Sequence, residues 1–153
     1  MANAMPQALG ASALDRDREV IAFCGDGGLT MLLGDLLTAV AHHLPAKLVV
    51  FNNGRLGMVK LEQEQGGLPE FGTQLGDVDL AAIARAAGLH AVRVERSHEL
   101  DDAVRSVLAH PGPALLDVVT NPEEISLPPK VKVGQAWGFA IAKLTETLES
   151  RRT

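Results

Sequence analysis

The sequence predicts an α/β fold: a doubly wound, mainly parallel sheet with helices on both faces. Two observations predict it. Short apolar, β-branched runs alternate with longer segments whose apolar residues recur at three- and four-residue spacing. Two of those runs end in turn-forming clusters, Gly25-Asp26-Gly27-Gly28 and Asn52-Asn53, at the strand ends where open α/β sheets place their ligand sites.

The elements follow in order. ANAMPQALGASAL (2–14) is an Ala-rich helix candidate with no strand before it. Its small faces require close neighbours, which suits the interior of a larger protein, and the chain is expected to be the C-terminal piece of a longer polypeptide. EVIAFC (19–24) is the first strand and LTMLLGDLLTAVAHHL (29–44) one long helix. KLVVFN (47–52) is the second strand. VDLAAIARAAG (78–88) is a helix stopped by Gly88. HAVRVE (90–95) is the third strand, SHELDDAVRSVLAH (97–110) a helix opened by Ser97 and closed by Pro111-Gly112, and ALLDVVT (114–120) the fourth strand. NPEEISLPPKVKVGQAWG (121–138) reads as a Pro-rich, mostly extended connector packed by Trp137, and FAIAKLTETLES (139–150) as a final amphipathic helix. Residues 1–120 thus form the α/β domain, and 121–153 a connector and helix of the same domain.

At 153 residues, 46% hydrophobic, 22% charged and net charge −5, the chain is neither a disordered tail nor a basic nucleic-acid binder. The single cysteine, Cys24, cannot form an internal disulfide and lies among apolar neighbours, as in a reducing compartment. No basic leader precedes an apolar run, and no 18-residue apolar stretch occurs. A soluble, cytoplasmic protein is expected.

Any phosphate ligand must therefore be held by local devices. Glycines 25, 27 and 28 let the backbone approach an anion closely, and N–H groups at a helix start can hold it. A carboxylate in the same turn would repel phosphate unless a cation lay between them, so Asp26 argues for a shared divalent metal. Asn53 can add a neutral oxygen, and a loop carbonyl, two phosphate oxygens and a water complete the octahedral oxygen shell that Mg2+ prefers. A dinucleotide-binding turn fits poorly, because Gly25 and Gly27 are followed by Thr30 and the second strand ends in asparagine; no Gly-Lys-Ser/Thr follows, which excludes a P-loop. A bare tight turn with Asp26 as helix cap is the remaining plain alternative.

GDG followed, after a helix and a strand, by NN resembles the thiamine-diphosphate motif. The stretches MANAMPQALGA, GDGGLTMLLGDLL, LPAKLVVFNNGRLGMVKLE and PPKVKVGQAWGF resemble the C-terminal, diphosphate-binding domain of flavin-dependent pyruvate oxidases, especially the bacterial quinone-reducing type. The resemblance implies metal ligands at Asp26, Asn53 and the Arg55 carbonyl, and cofactor contacts from Met1, Gly25, Gly27, Gly28, Gly57 and Met58. It implies substrate-side roles for Val59 and Glu62, the latter a proton-managing carboxylate. It further implies thiamine diphosphate and Mg2+ as cofactors, with FAD in the full-length enzyme, and pyruvate or a related 2-oxo acid as substrate. The partner would be the pyrimidine-binding domain of another subunit, in a homo-oligomer, tetrameric in the parent enzyme. The pyrimidine-binding and FAD domains are absent from this chain, so little or no turnover is expected from it alone. Met58 stands where the oxidases usually carry phenylalanine, and Gly57-Met58-Val59 resembles the acetolactate synthases, making carboligation the alternative, with a non-catalytic cofactor-binding module as a third reading. The amphipathic tail by which the quinone-reducing enzymes reach membrane is not matched, and no membrane contact is carried over.

Overall fold

The computed structural model describes residues 1–124 and 133–149, so the Pro-rich part of the expected connector lies outside the described residues. Four parallel strands, β1 (Ile21–Gly25), β2 (Lys47–Asn52), β3 (His90–Val94) and β4 (Ala114–Val119), form one sheet in the order β1-β2-β4-β3. The chain divides into two compact units, Met1–Gly54 with Asp77–Thr120, and Arg55–Gly76 with Asn121–Thr153.

The first unit holds the sheet and its covering helices. On one face, α1 (Ala4–Leu14), α3 (Asp35–Ala41) and α5 (Leu80–Ala87) press Met5, Leu9, Leu36, Ala39, Leu80 and Ala84 against Ala22, Cys24, Leu48, Val50 and Leu115. On the other, α6 (Leu100–Ala109) packs Ala103 and Val107 on Val94, Ala114 and Leu116. Both-face burial is what near-continuous apolar parallel strands require, and it bears out the doubly wound expectation. The α6 face stops short of β1, and there Phe23 of β1 and Phe51 of β2 stay exposed and stack at 6.0 Å. Burial also pushes the Cys24 thiol up, in line with its apolar surroundings.

The expected helix 29–44 is instead two helices. α2 (Asp26–Thr30) ends in tight turns whose N–H groups reach back three residues, Leu32 to Leu29 and Asp35 to Leu32, before α3 starts. Gly34 precedes α3, and Asp35 occupies its first turn. α5 begins where the Asp79 side chain accepts from the Ala82 N–H at 2.7 Å, and ends at Gly88, whose φ of 103° only glycine adopts at little cost. Ser97 does not cap α6; it lies in a short 3-10 turn (Ser97–Glu99) entered from Arg96.

The second unit pairs α4 (Gly57–Gln65) with α7 (Val133–Glu149). α7 starts earlier than the expected 139, taking in Val133 to Gly138. Two glycines hid that start, and Gly138 explains itself: a Cβ there would stand 2.8 Å from the Gln65 carbonyl carbon and 3.1 Å from the Gly67 nitrogen. Close helix contact needs its bare backbone. Trp137, expected to pack the connector, is exposed on α7. Among the described residues no helix is long and apolar enough to cross a membrane.

Candidate functional site

Parallel register sets the site. Gly25 pairs with Phe51, so the chain leaves β1 and β2 at the same level of the carboxyl edge, with Asp26 beside Asn52 and Asn53. Asp26 is 6% exposed. Its Oδ1 accepts the Gly27 N–H at 2.8 Å and its Oδ2 accepts the Gly54 N–H at 2.7 Å, the short lengths expected of charge-assisted bonds. One carboxylate thus ties the glycine turn to the asparagine turn. Gly54 delivers that N–H from a left-handed conformation, φ 66°, which disfavours any side chain there.

The two asparagines separate. Asn52 turns inward and is buried, its Nδ2 donating to Asp117 Oδ1 at 2.9 Å and to the Val78 carbonyl at 3.0 Å. Asn53 is half-buried, next in the chain to the amide that Asp26 holds. A carboxylate and an amide on adjoining turns make a hard-oxygen donor set, which suits Mg2+ rather than a soft metal. A Cβ on Gly25 would meet nothing within 4 Å, whereas one on Gly28 would lie 3.5 Å from the Ala2 nitrogen. The backbone at Gly25 is therefore open, and at Gly28 it is in ordinary contact with the start of the chain. These observations fit a metal-bridged diphosphate. Among the described residues no three His, Cys, Asp or Glu side chains form a group able to hold a metal.

Asp117 is not among the site residues expected from the sequence, although it interrupts the apolar run of β4. It is fully buried and accepts from Asn52, from the Leu80 N–H at 3.1 Å and from Arg93 Nη1 at 3.0 Å. Arg93 also reaches the Val78 carbonyl, Asp77 and Glu95. Burial works against its charge, but the bonds to Glu95, Asp117 and Asp77 outweigh it and raise the guanidinium pKa. The signal was there to read: a charge in each of two neighbouring apolar strands has to be paired.

Met1 is exposed at the start of the first unit. Arg55, Gly57, Met58, Val59 and Glu62 belong to the second unit. There the Arg55 guanidinium pairs with Glu123 at 2.6 Å and Glu70 at 3.5 Å, and its backbone bridges to Gln74. Gly57 opens α4. Lys60, Leu61 and Glu64 form the buried face of that helix, while Met58 and Glu62, four residues apart, are exposed and Val59 is half-buried.

A family model described as thiamine pyrophosphate enzyme, C-terminal TPP binding domain, matches residues 1–118. A thiamine pyrophosphate-containing protein of Bacillus subtilis (strain 168) is 38% identical over 148 residues, covering 97% of this chain and 26% of that protein. The pyruvate oxidase of Lactiplantibacillus plantarum is 32% identical over 139 residues, 89% of this chain and 23% of the oxidase. The large subunit of acetolactate synthase isozyme 1 of Escherichia coli (strain K12) is 32% identical over 124 residues, 78% of this chain and 22% of the subunit. Among solved structures, the thiamine diphosphate-dependent 4-hydroxybenzoylformate decarboxylase of Rhodococcus jostii RHA1 superimposes with a TM-score of 0.73 at 28% identity, over 77% of this chain and 23% of the decarboxylase. The chain spans about a quarter of the length of these curated relatives.

Proposed function

Because the chain belongs to the thiamine pyrophosphate enzyme family, as its C-terminal cofactor-binding domain, we propose that it binds thiamine diphosphate through Mg2+ and serves an enzyme that oxidatively decarboxylates pyruvate or a related 2-oxo acid. One observation carries the reading: the buried Asp26 carboxylate holds the Gly54 amide, so the two halves of the motif meet at one sheet edge.

Asp26 and Asn53 are the side-chain metal ligands, and the family resemblance assigns the Arg55 carbonyl as the backbone ligand. Gly25, Gly27 and Gly28 receive the diphosphate. When bound, the cofactor supplies the nucleophilic carbon and electron sink that decarboxylation of a 2-oxo acid demands. Met1, Gly57 and Met58 line the cofactor, Val59 shapes the substrate side, and Glu62 moves protons there. The pyrimidine-binding domain of a partner subunit and a flavin domain would complete the enzyme, with electrons passing to FAD.

Carboligation in the acetolactate-synthase manner is the second reading. Gly57-Met58-Val59 and the similar identity of the synthase and oxidase relatives favour it. Acetate or acetyl phosphate against acetolactate, measured on the chain joined to its complementary domains, separates the two. The cofactor claim is tested directly by calorimetry of the chain with thiamine diphosphate. Binding should require Mg2+ and weaken at least about a hundredfold in Asp26→Ala, since removing a directly coordinating carboxylate should cost at least as much as losing one of the partners that orient such a ligand. Equal binding with and without Mg2+ would refute the metal bridge.

A further inference from the structure

The fully buried Asp117 does not belong to the glycine turn or the asparagine turn, yet it governs where one of them starts. Its Oδ1 accepts from Asn52 Nδ2 at 2.9 Å, and its Oδ2 accepts from Arg93 at 3.0 Å and from the first N–H of α5 at 3.1 Å. Asn52 and Arg93 both also donate to the Val78 carbonyl, at 3.0 Å each. The end of β2, β3 and the entry to α5 thereby converge on one carboxylate of β4. The Asn52 carbonyl is held as well, accepting the Thr120 N–H at 2.9 Å beyond the end of β4. With Asn52 fixed at both its backbone and its side chain, the next two residues have little freedom: Asn53 follows, and the Gly54 N–H arrives 2.7 Å from Asp26 Oδ2.

We propose that Asp117 is a positioning residue for the cofactor-metal site, acting through Asn52 to hold the end of β2 so that Asn53 and Gly54 meet Asp26. A rigid buried network behind a metal ligand sets the ligand's orientation and so the metal affinity. The metal part of this proposal rests on the cofactor reading above. The positioning part does not, because it concerns the Asp26–Gly54 contact, which is made within the chain itself.

The test uses the whole 153-residue chain as wild type, Asp117→Asn and Lys47→Met. Lys47 is a matched structural control. It is buried at the opposite edge of the sheet, where its amine donates to the His110 and Gly112 carbonyls. Two quantities are read: hydrogen exchange of the Gly54 amide by NMR without ligand, and the Mg2+ concentration that half-saturates thiamine diphosphate binding. In Asp117→Asn the Gly54 amide should exchange at least about tenfold faster and the Mg2+ requirement should rise about tenfold. Lys47→Met should lower the melting temperature and change neither. Unchanged Gly54 exchange in folded Asp117→Asn, or equal losses in Lys47→Met, would overturn the proposal. If Asp117→Asn fails to fold, Asn52→Ser, which spares the Asp117–Arg93 pair, replaces it with the same expected outcomes. A wild-type chain that shows no Mg2+-dependent binding would sink the cofactor reading, while Gly54 exchange would still decide the positioning claim.

Discussion

Replacing Lys60 by methionine probes what fixes α4, the helix that carries Met58, Val59 and Glu62. Lys60 is 2% exposed and faces three carboxylates: Glu123 at 2.8 Å, Glu64 at 3.8 Å and Glu70 at 3.9 Å. Removing one member of a buried ion pair usually costs about 3–5 kcal/mol, because the other charge is stranded. Here no carboxylate is stranded. Glu64 keeps Lys143 at 2.7 Å, a close ion pair. Glu70 keeps Arg55 at 3.5 Å. Glu123 keeps Arg55 at 2.6 Å and, at 58% exposed, also keeps water. The exposed Glu123 pair contributes about 0.5–1 kcal/mol after screening, and the two longer contacts about 0.5–1 kcal/mol each. Methionine preserves the apolar stem, so the expected loss is about 2 kcal/mol, or about 4–8 °C in melting temperature. The pH dependence has a definite sign. The hydrogen bond from Lys60, with that from Arg55, holds the Glu123 carboxyl below the usual range against the opposing effect of burial. A depressed carboxyl stabilises the fold above its unfolded pKa of about 4.3 and loses that contribution as pH falls through the folded value. Thermal unfolding in EDTA at pH 7 and at successive steps down to pH 3 should therefore show Lys60→Met losing less stability on acidification than wild type. A loss at pH 7 above about 4 kcal/mol would mean that Lys60 is the essential counter-charge of Glu64. An acid slope identical to wild type would refute the role assigned to the Lys60–Glu123 pair.

Gly138→Ala should destabilise the α4–α7 pair by about 1–2 kcal/mol in urea unfolding. The added methyl would sit 2.8 Å from the Gln65 carbonyl carbon, and the overpacking strain exceeds the ~1 kcal/mol that alanine adds to a helix interior; a stabilised variant would show that the helices separate freely. Cys24 is buried with its thiol pKa raised by burial, so iodoacetamide should modify it at least about a hundredfold more slowly in the native chain than in urea. Equal rates would place it at the surface.

Much of the fold is legible because parallel strands buried on both faces must be apolar along their whole length. KLVVFN coincides with β2 for that reason, and Gly88 marks a helix end through a backbone angle that other residues avoid. The break between α2 and α3 is hidden because Leu32, Leu33, Leu36 and Leu37 keep a helical spacing across it, while the backbone tightens into three-residue turns. The early start of α7 is hidden because Gly134 and Gly138 read as loop residues, although tertiary contact requires the second. Of the candidate site, Asp26 and Asn53 can be proposed from residue type at a strand end. The Asp117 node is half legible: a lone acid inside ALLDVV signals that a partner is needed, but that the partners are Arg93 and Asn52 emerges only when they arrive beside it from other strands.

The paired asparagines illustrate why position within a strand decides what a residue can do. Side chains alternate along β2, so Val50 and Asn52 share the face that α5 covers, and Val49 and Phe51 take the other. Asn52 is therefore committed to the interior. Its amide has to be satisfied there, and Asp117 and Val78 satisfy it. Asn53 lies one residue beyond the end of the ladder, released from the alternation, and it precedes the glycine whose left-handed turn brings the chain to Asp26. The doublet is thus one anchor and one candidate ligand. Substitution of Asn52 should therefore lower thermal stability in EDTA, where no metal is bound, because its amide satisfies Asp117 and Val78, and Asn53→Ala should weaken Mg2+-dependent binding of thiamine diphosphate in calorimetry.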